Sequence, residues 1–209
     1  MSLKITETEK IRNRYDRVSV VYDLFEQPME MMALKKYRNA IMKELHGKFL
    51  EVGVGTGKNI QFYPENLDFT AIDFSTKMLN KARGNAEKFN KKVNLLLMDV
   101  QNMDFPDNTF DVVFTTCVFC SVPDPVQGLK EIRRVCKPNG KIIMLEHVRS
   151  EKKLIGSIMD MLNPIVVKLY GANINRRTIN NIKSAGFRNI AETNMIGDIL
   201  KKIEITNLK

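Results

Sequence analysis

The stretch FLEVGVGTGKN, residues 49–59, decides how the rest of the chain is read. A short apolar run ends in Glu51, and glycines follow at alternating positions, Gly53, Gly55 and Gly57. Spacing tests two phosphate-binding readings. A P-loop needs a glycine five positions before its Gly-Lys pair and Ser/Thr after it. Val52 and Asn59 hold those places, so that reading fails. A dinucleotide loop G-x-G-x-x-G is met at Gly53 and Gly55, but Lys58 stands where the third glycine belongs and Gly57 comes one residue early. That reading is weakened and stays open. A tight strand-to-helix turn that binds nothing is the bland alternative.

Glu51 favours a third reading. It sits at the carboxyl end of the first expected strand, in the crevice where open α/β sheets bind ligands. A carboxylate there repels a pyrophosphate and suits a ligand with positive charge, such as an ammonium or a sulfonium. The glycines then permit close approach of the backbone, because a Cβ would occupy the ligand's space. The second expected strand, LDFTAIDFS, ends in Asp73, 20 residues after Gly53. An acid at this distance commonly accepts hydrogen bonds from ribose hydroxyls. The third, VNLLLMDVQNMDF, ends at Asp99 beside Val100. Such a pair suits an adenine, the acid on its amino group and the apolar neighbour on its ring. Alone, Asp99 is equally a helix cap or a loop acid.

The surroundings are those of a globular protein. The chain has 209 residues, 44% hydrophobic and 27% charged, enough for one domain with a full core. No run of about 18 apolar residues suggests a spanning helix. The opening MSLKITETEK lacks the apolar core of a secretory signal, and three cysteines do not make a disulfide framework. A cytoplasmic location, membrane-peripheral at most, is expected. The net charge of +9 is scattered, so a solvated lysine-rich surface competes with attraction to nucleic acid or anionic lipid.

Residues 8–46 read as helical with a break at Pro28. Strands are expected at 48–53, 68–73, 93–98, 109–115, 140–147, 187–195 and 199–207. Helices are expected at 57–62, 75–89, 125–136 and 175–185. This alternation predicts a largely parallel sheet covered on both faces. The last two strands, parted by Ile196–Asp198, predict an antiparallel hairpin. Lys137-Pro138-Asn139-Gly140 reads as a helix stop. Residues 148–174 fit neither period and read as an insertion.

With these residues in view, the chain resembles the class I S-adenosylmethionine (SAM)-dependent methyltransferases. LEVGVGTG (50–57), AIDFS (71–75), MDVQNMDFPDNTFDVVF (98–114) and LKEIRRVCKPNGKIIMLE (129–146) carry the resemblance. YDRVSVVYD (15–23) is similar to the ubiquinone/menaquinone-biosynthesis and phospholipid branch. VFCSVPDP and LEHV also resemble thiol and lipid methyltransferases of related type. The resemblance implies a Rossmann-like α/β fold, a seven-stranded sheet of order 3-2-1-4-5-7-6 with the last strand antiparallel and helices on both faces. It implies one domain over 1–209, with residues 1–46 as an N-terminal helical lid and 148–174 as a cap over the acceptor. SAM is the implied cofactor and S-adenosyl-L-homocysteine the product. Glu51, Gly53, Gly55 and Gly57 would border the methionine part. Asp73 would hold the ribose with Phe74 or Met78 beside it, and Asp99 and Val100 the adenine. Thr116, Cys117 and Phe119 would lie near the transferring methyl, with Tyr15 and Tyr22 reaching in from the lid.

A methyl on a sulfonium is already activated, so alignment and exclusion of water are the main tasks. A base is needed only where the acceptor must lose a proton. His147, after the fifth strand, is the candidate, with Tyr22 as a second; the alternative for His147 is a histidine capping the sheet edge. His46, at a helix end, reads as structural. Cys117 and Cys120 have CxxC spacing, but no second ligand pair accompanies them, so no metal is expected. Residues 154–170, LIGSIMDMLNPIVVKLY, lie between RSEKK and NINRR. An apolar element between basic clusters suits a lid over a lipophilic acceptor or a segment on an anionic bilayer. The Met-rich QPMEMMALKKYR (27–38) suits an adaptable apolar wall. The expected acceptor is small and lipophilic: a quinone precursor, a phospholipid amine or a thiol. The alternative is an RNA or protein methyltransferase using the basic surface. Nucleic acid is not expected, because no Asn/Asp-Pro-Pro-Tyr/Phe motif follows the fourth strand, which continues as TTCVFC.

Overall fold

The protein was analysed as a computed structural model, which describes residues 35–43, 47–65 and 67–209, with Glu9 and Ile11 besides. The expected lid helix, with Tyr15, Tyr22 and the break at Pro28, and also His46, lies outside the described residues. Helix α1 (Lys35–Lys43) precedes strand β1 (Lys48–Val52). There follow β2 (Asp68–Asp73), α2 (Thr76–Lys88), β3 (Asn94–Leu97), β4 (Phe110–Thr116), α3 (Pro125–Val135) and β5 (Cys136–His147). Helices α4 (Lys153–Tyr170) and α5 (Thr178–Ser184) and strands β6 (Ile190–Ile196) and β7 (Leu200–Thr206) complete the chain.

The strands form one sheet of order β3-β2-β1-β4-β5-β7-β6. Strands β1 to β5 pair in parallel, and β7 runs antiparallel to both β5 and β6. This is the Rossmann-like arrangement the resemblance implies. Period-two alternation divides the core. Leu50, Val52, Val113, Ile142 and Met144 face α3 and α5. Phe49, Val112, Phe114, Ile143 and Leu145 face α1 and α2. Successive residues therefore point to opposite faces, which fixes where every polar residue at a strand end must go.

Local chemistry explains the helix starts. Ser75 caps α2, its hydroxyl accepting from the Met78 N–H at 3.2 Å. Asp124 caps α3, accepting from the Gln127 N–H, with Pro125 in the first turn. At the other end, buried Asn207 donates its side-chain amide to the carbonyls of Arg133, Cys136 and Lys137, which ties the tail of the hairpin to the α3–β5 junction.

Three expectations are corrected. Residues 57–62 do not form a helix; they turn and close in a 3-10 turn at Ile60–Phe62. Gly57 has φ +84, the bonds run from Ile60 N to Gly57 O and from Phe62 N to Asn59 O, and Pro64 blocks continuation. Strand β5 begins directly after α3, at Cys136, with a register irregularity where the stop was expected; Asn139 sits there at φ +60. The insertion contains an 18-residue helix, α4. Its pattern is hard to read in sequence because apolar residues cover its outward side rather than its inward one.

The third glycine of the opening stretch has a packing reason. A Cβ on Gly57 would meet Ala82 Cα of α2 at 2.9 Å, a backbone atom that cannot swing aside. Gly57→Ala should therefore destabilise the fold by about 2 kcal/mol or more, through left-handed strain and the clash. Denaturant unfolding measures this; an unchanged midpoint would refute the packing explanation.

Candidate active site

The cleft opens at the carboxyl ends of β1, β2 and β4, where the chain reverses direction across the sheet. Its inner hollow encloses about 430 Å³, open mouth included, and is walled by Val52, Gly53, Asp73, Phe74, Asp99 and Val100. The hollow continues past Gly55, Met78, Thr116 and Cys117. It then reaches Glu51, Asn59 and Arg38 of α1. One trough thus joins Glu51, Asp73, Asp99 and Thr116, at or just past the ends of β1 to β4.

The acid of β2 organises the loop. Asp73 is buried; its Oδ2 accepts from the Gly55 N–H and its Oδ1 from the Ser75 N–H, both at 2.9 Å. The carboxylate therefore holds the glycine loop and the start of α2 together. The N–H groups of Gly53 and Val54 both donate to Ile72 O, which folds the loop back over β2. The two glycines lining the trough differ. A Cβ on Gly53 would meet Val118 at 2.5 Å, so this position serves the approach of the turn after β4. A Cβ on Gly55, at φ +56, would meet no atom of the described residues within 4 Å. Gly55 alone keeps the trough clear for a ligand, and Gly57 does not line the trough.

Glu51 lies at the far end, on the α1–α2 face. Its Oε1 accepts from Asn59 Nδ2 at 2.5 Å and its Oε2 from the Tyr63 hydroxyl, while Arg38 Nη1 donates to Asn59 Oδ1 at 2.7 Å. The Tyr63 ring stacks on Phe69 and meets Phe49 edge-on, so packing sets the direction of its hydroxyl. Burial pushes the Glu51 carboxyl up to about 7, against the opposing pull of the Tyr63 and Asn59 hydrogen bonds. Both oxygens are thus already engaged. The same network places Asn59 Nδ2 3.3 Å from Thr116 Oγ1. Arg38, Asn59 and Tyr63 were not singled out in the sequence; nothing local to them signals that they converge on Glu51.

At the inner end, Asp99 accepts from the backbone and the side-chain amide of Gln101. Gln101 Oε1 in turn accepts from the Asp124 N–H, joining this loop to the start of α3. Val100 is buried against the hollow, where an aromatic base would pack.

The opposite wall is the turn after β4. Cys117 is left-handed at φ +53 and donates its N–H to Leu145 O. Glu146, fully buried on the other face of β5, accepts from the Thr115 hydroxyl and from the N–H groups of Val118 and Phe119. This carboxylate braces the turn from beneath, and burial pushes it up to about 7. Its position within an apolar strand was the available signal, and it was missed. Phe119 is corrected: it is fully buried in the core beside Val100 and reaches no part of the trough. Cys120 donates its thiol to Cys117 O, and burial pushes it up to about 12, so it is an inert buried thiol. His147 is half-buried at the end of β5, on the same sheet face as Glu51 and Thr116. It lies two positions beyond Leu145, the register partner of Thr116, and burial lowers its pKa. It stands beyond the acceptor end of the trough rather than in its lining.

The comparisons with known proteins agree with this geometry. A family model described as a methyltransferase domain matches residues 50–144. The phosphatidylethanolamine N-methyltransferase of Cereibacter sphaeroides is 36% identical over 114 residues, 54% of this chain and 56% of that protein. The chain thus spans little more than half the length of that relative. The demethylmenaquinone methyltransferase of Bacillus cereus is 30% identical over 160 residues, 72% of this chain and 67% of that one. A solved SAM-dependent methyltransferase of Thermotoga maritima superimposes with a TM-score of 0.70 at 20% identity, covering 94% of this chain and 99% of that one, a likeness of fold. The chain belongs to the class I SAM-dependent methyltransferases, in the branch that holds the quinone-biosynthesis and phospholipid enzymes. SAM is the cofactor of this family and S-adenosyl-L-homocysteine its product. The trough fits that cofactor: acids end β2 and β3, an apolar hollow lies between them, and the Gly55 position is left open.

Burial of Glu51 and Glu146 makes the folded protein hold protons that the unfolded chain releases above the ordinary value of 4.5. The unfolded state then binds fewer protons, so stability falls as pH rises from about 4.5 to about 7. Glu146→Gln should flatten part of this fall while removing one acceptor, a loss on the order of 1 kcal/mol below pH 5. Chemical unfolding at pH 5 and pH 7.5 reads both effects; an unchanged slope would exclude Glu146 as a raised carboxyl.

Proposed function

We propose that this protein transfers a methyl group from SAM to a small lipophilic acceptor, a quinone precursor, a phospholipid amine or a thiol. The observation that carries this reading is the trough itself. It runs unbroken from Asp99 and Val100, past Asp73, to Thr116 and Cys117. The two relatives support the acceptor class, since phosphatidylethanolamine and demethylmenaquinone are both lipophilic.

The residues divide the work. Asp73 holds the ribose, and its bond to Gly55 couples ribose capture to the shape of the loop. Asp99 and Val100 take the adenine edge and face, with Phe74 and Met78 closing the sides. Gly55 lets the methionine part lie against the backbone, and Gly53 lets the turn after β4 close beside it. Glu51, engaged by Asn59 and Tyr63, acts by holding Asn59 and by placing negative potential under a cation rather than by direct contact. The cofactor supplies a methyl already activated toward displacement. Thr116 and Cys117 border the point of transfer, where the protein must align the acceptor and exclude water. His147, whose pKa burial lowers, is the candidate to accept a proton from an acceptor amine, thiol or phenol that reaches past Thr116. Tyr22 and Tyr15 are proposed as lid residues over the acceptor.

Labelled-methyl transfer from SAM tests the reading, with phosphatidylethanolamine, a demethylated quinone and alkyl thiols dispersed in detergent as acceptors. Transfer that survives nuclease treatment is expected with at least one of them. Transfer only to RNA or protein would replace this acceptor class with the alternative. Asp73→Ala should weaken SAM binding by about 1–3 kcal/mol, a factor of roughly 5 to 150, in calorimetry; unchanged affinity would remove Asp73 from the site. His147→Ala should lower turnover about 100-fold for an acceptor that must lose a proton, with SAM affinity intact. Full activity would remove the base.

A further inference from the structure

Helix α4 presents its apolar side outward. Leu154, Ile155, Ile158, Met161, Leu162, Ile165 and Leu169 are all exposed; Leu154 is 74% exposed, Met161 69% and Leu169 60%. At about 100° per residue these positions fall within a single stripe roughly 120° wide and about 24 Å long. The back of the helix faces the body, with Gly156 and Met159 buried there and Asp160 bonded at its edge. Asp160 accepts from Arg149 Nε and Nη2 and from Asn175 Nδ2. Only Gly156 and Met159 of α4 are buried. A helix that buries so little and turns a broad apolar stripe to water departs from the usual arrangement of a surface helix.

The charges around the stripe identify what it meets. Lys152 and Lys153 stand at the N-terminal end of α4 and Lys168 near its C-terminal end, on the margin of the stripe. All three are exposed, and none forms an ion pair among the described residues. Cations at a helix N-terminus oppose the helix dipole, so helix stability does not account for them. They complement an anionic surface. A second copy of this chain would bring the same unpaired lysines against one another. No helix of the described residues is long and apolar enough to cross a membrane, and an apolar stripe on one side of a helix suits the surface of a bilayer.

We propose that α4 docks this protein on an anionic lipid bilayer, apolar stripe into the headgroup–acyl boundary and lysines on the lipid phosphates. The docked face adjoins the site. Directly after α4, Asn173 donates its backbone and side-chain N–H to Cys120 O, and Arg176 donates to Val122 O. The bound bilayer is therefore tied to the turn that walls the trough, beside the entry for a lipophilic acceptor. This deepens the proposed reading, yet its test uses neither SAM nor acceptor, so the two fail independently.

The test is co-sedimentation of the full chain with extruded vesicles, either pure phosphatidylcholine or phosphatidylcholine with about one-third phosphatidylglycerol. The wild type is expected to pellet with the anionic vesicles, less so as salt is raised. Met161→Asp and Ile165→Asp each reduce the partition coefficient about tenfold or more. Lys152→Glu with Lys153→Glu and Lys168→Glu removes the preference for anionic lipid. Far-UV circular dichroism and the unfolding midpoint, measured in every variant, stay at the wild-type values and show that the fold is kept. Protein that remains in the supernatant at every lipid concentration overturns the proposal, as do aspartate variants that pellet like the wild type. A dimer seen by light scattering that Ile165→Asp dissolves, without vesicle binding, also overturns it and assigns the stripe to a second copy.

Discussion

The carboxylate of Asp73 is the joint on which the site turns. One oxygen holds the glycine loop through Gly55 and the other holds the start of α2 through Ser75. A charged acceptor shared between two backbone N–H groups is a strong bond when buried, and it fixes two neighbouring turns by one side chain. The bonds of Gly53 and Val54 to Ile72 O, and of Asn85 in α2 to Thr56 O, hold the same loop from its two ends. The ligand trough keeps its shape because that loop is held in one course at the ends of β1 and β2.

Two further buried carboxylates set the walls, and strand alternation assigns one to each face. Glu51 points to the α1–α2 face and gathers Asn59 and Tyr63; Glu146 points to the opposite face and gathers Thr115 and the turn after β4. Each is pushed up to about 7 by burial, so each spends stability near neutral pH to fix a loop. Buried acids at the ends of apolar strands are costly unless satisfied, and here every satisfying donor belongs to a segment bordering the trough. The architecture thus concentrates its electrostatic strain where the ligand binds. Helix α4 adds the reverse feature, apolar surface left in water, and the segment that follows it grips the same turn that Glu146 braces.

The local signals of the chain were sufficient for the frame. β-branched and apolar runs marked the seven strands, and turn residues around Ile196–Asp198 marked the hairpin. The failure of both phosphate spacings around Gly57 and Lys58, with acids at Glu51, Asp73 and Asp99, pointed to a cationic nucleoside. These features were legible because strand period, glycine spacing and strand-end acids are each set within a few residues of chain. The 3-10 turn at Ile60–Phe62 and the early start of β5 were less so, since left-handed residues and partner strands override local propensity there.

The sequence by itself therefore determined the element order, the sheet and the strand-end residues that meet at the cleft. Tertiary structure alone decided what each of them touches there. It gave three similar glycines three different neighbours, Val118, open space and Ala82. It buried Phe119 in the core while Thr116 and Cys117 reached the trough. It engaged both oxygens of Glu51 through Asn59 and Tyr63 of one turn, with Arg38 of α1 holding Asn59, and it left the apolar side of α4 facing outward. The physical reason is range. Periodicity and turn chemistry act between neighbours along the chain, whereas hydrogen-bond partners and free space are set by elements dozens of residues apart that meet only once the sheet has closed.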